Sequence, residues 1–321
     1  MAKTNTQQHE EVLRYRVRQY LRGQGWGTEL KKTLQKFETE GCSVYIVGGF
    51  LRDLMLYGPS ASPRDIDIVF EGVPVEKVEF FFWNQKERKN RFGGLRLKSG
   101  DCPFDVWSLR DTWAFRNKKV HRVSFSTLPH TAFLNLDAIA LRWKDNSEDE
   151  VVSNGFFEGI SNRTLEINLE ENPFPETCIV RALIAASTLD FAIGPKLAAY
   201  IFRYSKKTSL TELQRVQRGR YGFIPLDGED LRSCFSAIEA QLSRSRVSTV
   251  SLPGKQFKFE DQRTQKENKP KNILVEWISN ISEAAFVHSR AIRRFRKQFI
   301  GSKRSTLNVF NTQIEWLSKV S

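Results

Sequence analysis

Residues 46–70 read IVGGFLRDLMLYGPSASPRDIDIVF, and this stretch decides the fold. Short apolar runs at 44–47 and 66–70 predict two buried strands. Between them, Gly48 and Gly49 form a corner, residues 50–56 predict a short helix, and Gly58 and Pro59 begin a loop. The order of strand, glycine corner, helix, loop and strand predicts an α/β or α+β arrangement.

The second predicted strand carries two acids. Asp65 and Asp67 alternate with Ile66 and Ile68. Because side chains alternate across a strand, both carboxylates share one face and both isoleucines the other. Neighbouring carboxylates repel each other, so this pair predicts a bound divalent cation. Asp105, within FDVW at 104–107, is the candidate third acid on a later predicted strand.

The glycine corner predicts a phosphate site. Without side chains at Gly48 and Gly49, backbone N–H groups can approach a phosphate at the start of a helix. Arg52, Asp53 and Arg64 bring further charges to the same neighbourhood, and a planar guanidinium can bind two triphosphate oxygens. Carboxylate-bound metal beside such a corner is typical of phosphoryl or nucleotidyl transfer.

The remaining sequence suggests how the chain is divided. Its 321 residues are 40% hydrophobic, which is enough for at least one full core. We predict an α+β fold in which a small mixed sheet flanked by helices is followed by an all-helical C-terminal region. The predicted parts are a head at 1–150, a helical neck or body at 151–243, a polar loop or linker at 244–272 and a basic helical tail at 273–321.

Composition indicates the kind of partner and compartment. Fifty Lys and Arg against 37 Asp and Glu give a net charge of +13, which suits RNA, DNA or a phosphate-rich substrate. A basic cluster near the C-terminus is a candidate RNA-binding face or a solvated helix face: Arg290, Arg293, Arg294, Arg296 and Lys297. The polar start, the lack of a long apolar run and four cysteines without a CxxC pair predict a reduced cytoplasmic protein with no membrane partner.

A family resemblance rests on the same residues. GGFLRDLMLYG (48–58) followed by SPRDIDIVFEG (62–72) resembles the head signature of the class II CCA-adding and bacterial poly(A) polymerase family, GG-x-x-RD-x-x-LG and then D-x-D. The likeness covers residues 28–145. It extends to a neck helix, where VRALIAASTLDFAIGPKL (180–197) is similar to the family's RALRFAARLGF-like helix.

That resemblance implies transfer of a nucleotide from an NTP to an RNA 3′ hydroxyl, on tRNA or a tRNA-like end, with two magnesium ions. It implies that Asp65 and Asp67 bind the metal and that Gly48 and Gly49 lie at the triphosphate. It also implies that Arg52 and Asp53 shape the pocket.

Two motifs depart from the family pattern. The stretch that matches its sugar and base motif reads HTAFLNLDAIALRW (130–143), without the Arg-Arg-Asp and with Asp137 where the family has Asn. Asn135 lies two residues earlier, and both are candidate nucleotide-binding residues. In the neck motif Arg181 is kept, whereas Cys178 stands at the first Arg position. The catalytic half of the family pattern is therefore intact, whereas the base-selecting half is not.

Three functions remain open from the sequence. The first is a template-independent RNA nucleotidyltransferase, in which Asp105 would help to activate the 3′ hydroxyl. The altered sugar and base motifs also suit a diverged transferase of toxin or defence type, acting on another RNA or on protein. An inactive RNA-binding module is the third, and the intact acids and glycines argue against it, since clustered carboxylates without a metal cost stability.

Overall fold

The protein is described by a computed structural model that covers residues 5–89, 93–145, 149–244 and 248–253. These residues belong to one compact unit, Met1–Phe257. Most of the predicted linker and all of the predicted basic tail lie outside the described residues. The candidate RNA-binding cluster lies there too: Arg290, Arg293, Arg294, Arg296 and Lys297. The four-part division of the chain therefore remains a prediction.

Helices and strands alternate through the first half of the chain. In chain order the elements are α1 (Asn5–Arg22), α2 (Trp26–Thr39), β1 (Ser43–Val47), α3 (Gly49–Tyr57), β2 (Ile66–Glu71), α4 (Val75–Phe81), β3 (Lys86–Lys89), β4 (Leu95–Ser99), β5 (Cys102–Ser108), α5 (Trp113–Arg116), β6 (Ile139–Trp143) and β7 (Glu150–Ser153).

Helices dominate the second half. These elements are α6 (Phe156–Ser161), β8 (Thr164–Leu165), α7 (Pro175–Leu189), β9 (Ala192–Ile193), α8 (Pro195–Ser205), α9 (Leu210–Tyr221) and α10 (Gly228–Leu242). The short strands β8 and β9 pair in parallel between the helices. The last four helices lie where the sequence predicts helices, at 176–189, 195–204, 210–218 and 229–242.

Seven strands form one mixed sheet in the order β3-β4-β5-β2-β1-β6-β7. Within it β2 and β5 run parallel, and the other neighbouring strands run antiparallel. The predicted strands β1 and β2 and the helix α3 between them are confirmed. The α+β class is confirmed as well.

One face of the sheet carries the main core. Ile66 and Ile68 of β2 are fully buried there. Leu30, Leu34 and Phe37 follow helical spacing along α2, and all three are fully buried in the same cluster. Burying one such side chain contributes about 1.5–3 kcal/mol, so these residues fix α2 on this face.

The opposite face carries a smaller core. A second cluster lies over its middle, formed by Tyr45, Val69, Leu109, Phe115, Phe125, Leu128 and Ala140. Val69 marks the side of β2 that faces this cluster, and Asp67, two residues earlier, shares that side. We call this side of the sheet the open face. Its polar end lies where β2 begins.

Two further findings concern the described residues as a whole. No helix among them is long and apolar enough to cross a membrane. All four cysteines are buried free thiols, as the lack of a CxxC pair suggests: Cys42, Cys102, Cys178 and Cys234.

Candidate active site

Two of the predicted acids lie side by side on neighbouring strands. Because β2 and β5 are parallel and in register, Asp67 lies directly opposite Asp105. Residues that are paired in register lie on the same face of a sheet, so both carboxylates lie on the open face, on strands about 4.8 Å apart. Asp65 comes just before β2 on the same side of the strand. The structure thus brings together the three acids that the sequence singled out.

Asp67 is the most perturbed of these acids. Burial and the negative charges of Asp65 and Asp105 raise the pKa of its carboxyl from 3.8 to about 7. Within the described part of the chain, Asp67 has no ion pair and no side-chain hydrogen bond, although the charge of Arg181 acts in the opposite direction. Its carboxylate therefore lacks a close compensating cation.

The other two acids already contact arginines. Nη1 of Arg96 lies 2.6 Å from Oδ2 of Asp105 and 3.7 Å from Oδ2 of Asp65. Arg64 donates to Asp65 from Nη2 at 2.9 Å. Burial nevertheless raises the pKa of Asp105, with Arg96 opposing the rise. Arg96 was not predicted from the sequence, where its only signal is a polar residue between the strand residues Leu95 and Leu97.

Carboxylates are suitable ligands for a magnesium ion, although Asp65 and Asp105 already form ion pairs with arginines. As the side chains lie, no group of three or more His, Cys, Asp or Glu among the described residues is arranged to hold a metal ion. Magnesium takes carboxylate oxygens, and a cation beside Asp67 would offset the burial and the negative charges that raise the pKa of its carboxyl. Asp65 and Asp67 are the acids that the sequence predicts as magnesium ligands.

The glycine corner lies next to Asp67. Gly48 has φ 69°, which is readily adopted only by glycine, and a Cβ there would lie 3.9 Å from Oδ2 of Asp67. Its N–H donates to the carbonyl of Ile139 at 3.2 Å. The Gly48 amide is thus already hydrogen-bonded. The amides of Gly49 and Phe50 lie in the first turn of α3, where backbone N–H groups have no acceptor within the helix.

A chain of ion pairs joins α3 to α7. Arg52 donates from Nη1 to Oδ1 of Asp137 at 2.9 Å and from Nη2 to Oδ1 of Asp53 at 2.8 Å. Arg181 donates to Oδ2 of Asp137 at 2.7 Å. Burial lowers the pKa of Arg52, but Asp53 and Asp137 outweigh it and raise the pKa overall. Asp137 thus uses one oxygen for each arginine.

The second glycine of the corner makes room for this network. A Cβ at Gly49 would lie 3.3 Å from Nη2 of Arg52. A side chain at position 49 would require the guanidinium, which pairs with Asp53 and Asp137, to shift by a few tenths of an ångström. Glycine is therefore favoured at the two positions for different reasons: the backbone of Gly48 has a positive φ, and the Arg52 side chain lies close to Gly49.

Asn135 is not brought to the acids. It is buried, its Nδ2 donates to the carbonyl of Thr164 at 3.0 Å, and its Oδ1 accepts from the amides of Leu136 and Glu166. A Cβ at Gly159 would lie 2.4 Å from that Nδ2. Asn135 therefore fixes the 3₁₀ turn Asn135–Asp137 and, through it, the position of Asp137.

Arg220 of α9 is a further residue that the sequence argument missed. Burial and the positive charges of Arg181 and Arg64 lower the pKa of its guanidinium. Three arginines, from the loop before β2, from α7 and from α9, are therefore close enough to repel one another, which favours an anionic partner. Cys178 is fully buried, and burial raises the pKa of its thiol to about 11, so this position offers α7 no polar group at the site.

The first half of the chain is similar to a known protein family. Residues 44–146 match the family described as "Poly A polymerase head domain". Residues 44–146 are therefore similar to poly(A) polymerase head domains. The matched range begins in β1 and ends just after β6, so it contains the three acids and the glycine corner. The resemblance stated from sequence is confirmed.

Similar curated proteins carry one name. Two proteins named "CCA-adding enzyme", from two strains of Lactobacillus delbrueckii subsp. bulgaricus, are each 24% identical over 221 residues. The match covers 65% of this chain and 52% of each relative. The chain thus spans about half the length of the curated relatives that it matches.

Similar solved structures carry related names. One is "The complex structure of CCA-adding enzyme with ATP", 20% identical, with a TM-score of 0.43 over 58% of this chain and 44% of that one. Another is a tRNA nucleotidyltransferase complexed with a primer tRNA and an incoming ATP analogue, 19% identical, with a TM-score of 0.45 over 57% and 54%. A third is an apo tRNA-processing enzyme, 16% identical, with a TM-score of 0.44 over 74% and 64%.

Proposed function

We propose that the protein is a template-independent nucleotidyltransferase that transfers NMP from an NTP to an RNA 3′ hydroxyl, with tRNA or a tRNA-like end as acceptor. The observation that carries this proposal is the position of Asp67, opposite Asp105 and beside the Gly48 corner. The curated relatives named CCA-adding enzyme support the same chemistry. The similarity to poly(A) polymerase head domains supports it too.

Asp65 and Asp67 are the proposed ligands of a pair of magnesium ions. When bound, such ions neutralise the phosphates and orient the attacking and leaving oxygens. Asp67 contributes a carboxylate whose neighbours leave it short of positive charge. Asp65 contributes an oxygen that Arg64 holds in a fixed direction.

Asp105 is the proposed acceptor of the proton from the 3′ hydroxyl. Burial raises its pKa, and a carboxylate with a higher pKa is a stronger base. Arg96, through its 2.6 Å contact, holds the Asp105 carboxylate in place. Removing the Arg96 side chain is therefore expected to disturb the orientation of the Asp105 carboxylate more than the binding of the NTP.

The triphosphate is proposed to lie against the start of α3. The Gly49 and Phe50 amides point out of the first turn of that helix, where the helix dipole is positive. Arg64, Arg181 and Arg220 add charge that the surrounding carboxylates do not fully balance. Their mutual repulsion is relieved when a polyanion binds between them.

A diverged transferase with another acceptor is the second candidate. Both oxygens of Asp137 are already held by Arg52 and Arg181, and Cys178 is buried. These residues occupy the positions at which the family pattern has its sugar and base motifs, so nucleotide selection is expected to differ. An acceptor other than tRNA, either RNA or protein, fits that difference.

One experiment tests these functions together. The purified protein is incubated with Mg²⁺, each of the four labelled NTPs and total RNA, and then with a protein extract, and RNA 3′ ends are sequenced. Added nucleotides on tRNA 3′ ends support the first candidate, whereas label found only on protein or on other RNA supports the second. Absence of label on every acceptor would favour an inactive RNA-binding module.

The site assignment is tested in parallel. The double variant Asp65→Ala/Asp67→Ala is expected to lose incorporation while it keeps the wild-type circular dichroism spectrum. Asp101→Ala is the matched control, since the Asp101 side chain is 96% exposed at the turn between β4 and β5. Transfer at the wild-type rate by the double variant would refute the assignment.

A further inference from the structure

The charged row on the open face continues past the acids to the edge of the sheet. Asp67 lies opposite Asp105, Asp105 lies opposite Arg96, and Arg96 lies opposite Arg88 of β3. Residues in direct register share a face of the sheet. Four neighbouring strands therefore carry two acids and then two arginines in a line that ends at the exposed edge strand.

A lysine widens the basic end of this row. Lys98 is two residues after Arg96 on β4 and shares its side of the strand. It is exposed, and its closest carboxylate, at 3.8 Å, is the almost fully exposed Asp101. We call Arg88, Arg96 and Lys98 the basic track.

The other cations of β3 belong to the opposite side of the sheet. Lys86 lies opposite Leu97 and Lys89 lies opposite Leu95, and both leucines are buried in the main core. Lys86 and Lys89 accordingly form ion pairs with Glu79 of α4. Arg88 has no ion pair within 4 Å among the described residues, and its charge opposes the rise that burial causes in the pKa of Asp105.

The position of the basic track indicates which anion it binds. The Gly48 corner, proposed for the triphosphate, follows β1, on one side of Asp67. The basic track lies on the other side, beyond Asp105, on β4 and β3. In an in-line displacement the attacking oxygen and the leaving pyrophosphate lie on opposite sides of the phosphorus. The acceptor therefore approaches from the side of the basic track.

We propose that the basic track binds the phosphodiester backbone of the acceptor's 3′ segment and leads its terminal hydroxyl to Asp105. This inference rests on the proposed function for the direction of attack. The recognition itself is between guanidinium or ammonium groups and backbone phosphates, which carries no base preference. The exposed Arg88 and Lys98, together with Arg96, thus form a row of positive charge from the edge of the sheet to Asp105, the proposed proton acceptor.

The test uses the full chain with charge reversal of the two exposed members, Arg88→Glu/Lys98→Glu. Arg96 is left unchanged because it contacts Asp105. The control is Lys31→Glu/Lys207→Glu, which makes the same change in net charge at an exposed lysine of α2 and at one in the turn after α8. Binding of a fluorescent RNA that ends in a single-stranded 3′ segment is measured by anisotropy over a range of salt concentrations. The KM values for NTP and for acceptor are measured as well.

The track variant is expected to bind RNA about tenfold more weakly at low salt, with a log–log salt slope about 1.4 smaller, because each lost single-strand phosphate contact removes about 0.7. The KM for acceptor rises, the KM for NTP stays at the wild-type value, and the control variant changes neither slope nor KM. Unchanged RNA affinity, an equal loss in the control, or a rise in the KM for NTP alone would overturn the proposal.

Failure of the two proposals can be told apart, since the anisotropy measurement needs no transfer. If the wild-type protein transfers nucleotides but the track variant keeps full RNA affinity, the basic track is refuted and the function stands. If the wild-type protein transfers nothing but the variant loses RNA affinity and salt slope, the function is refuted and the binding surface stands. A wild-type protein that binds no RNA refutes the basic track.

Discussion

Replacing Asp67 by Asn should stabilise the metal-free protein at neutral pH. Burial and the charges of Asp65 and Asp105 raise the pKa of Asp67 from 3.8 to about 7, a difference of about three units. At about 1.36 kcal/mol per unit, the ionised carboxylate costs the folded state about 4 kcal/mol at most. The gain is expected to be smaller than this limit, since the Asp67 side chain keeps some contact with solvent. Asn has nearly the same shape and carries no charge.

The pH dependence of the gain follows from the direction of the shift. Below about pH 4 the carboxyl is protonated in both the folded and the unfolded state, so wild type and Asp67→Asn should have nearly equal stability. As the pH rises towards about 7, the unfolded state loses its proton while the folded state keeps it, and the wild-type protein is progressively destabilised. Above about pH 7 the difference between the two proteins should stay constant.

Thermal unfolding without divalent metal measures this difference. For a chain of this size about 1 kcal/mol shifts Tm by roughly 2–4 °C, so the variant should unfold several degrees higher at pH 7 than the wild type. The control is Asp101→Asn, whose side chain is almost fully exposed and whose replacement should leave Tm unchanged. A variant less stable than the wild type at pH 7, or a difference that does not change between about pH 5 and pH 8, would refute the electrostatic argument.

Three further outcomes follow from the same geometry. Saturating Mg²⁺ should raise the Tm of the wild type, since a ligand that binds only the folded state stabilises it, whereas Asp67→Asn should show little or no rise in the same scan. Gly48→Ala and Gly100→Ala should each lower the free energy of unfolding in urea by about 1 kcal/mol, because both glycines have positive φ. Only Gly48→Ala should weaken ATP binding in calorimetry, because its Cβ would lie beside Asp67. Equal ATP affinities of the two variants would contradict a phosphate site at the Gly48 corner. Asp137→Ala should cost about 2 kcal/mol in urea unfolding because it leaves two arginines without their shared acceptor, and a loss near zero would show that this ion-pair chain is not structural.

The strand alternation explains why part of the site was predictable from sequence. A strand has a period of two, so the spacing of Asp65 and Asp67 fixes their common face without any knowledge of the fold. The glycine corner is equally local, because the positive φ of Gly48 is a property of one residue. These features are encoded within a few neighbouring residues, and the structure has them as the sequence predicts.

Features that depend on distant pairing were not predictable in the same way. Arg96 reaches Asp105 because β4 and β5 pair in a particular register, and no local pattern specifies a register between strands. The strands β3, β6 and β7 were not predicted, and two of them complete the sheet on the far side of β1. Asn135 was assigned to the nucleotide from its neighbourhood, but its contacts with Thr164 and Glu166 come from a segment about thirty residues later.

A crystal structure with Mg²⁺ and a non-hydrolysable ATP analogue tests the central claim most directly. The account predicts metal bound to the carboxylates of Asp65 and Asp67, and β- and γ-phosphates against the amides that open α3, next to Gly48. A nucleotide bound elsewhere on the protein, or Asp67 without a metal contact in the nucleotide complex, would contradict the account.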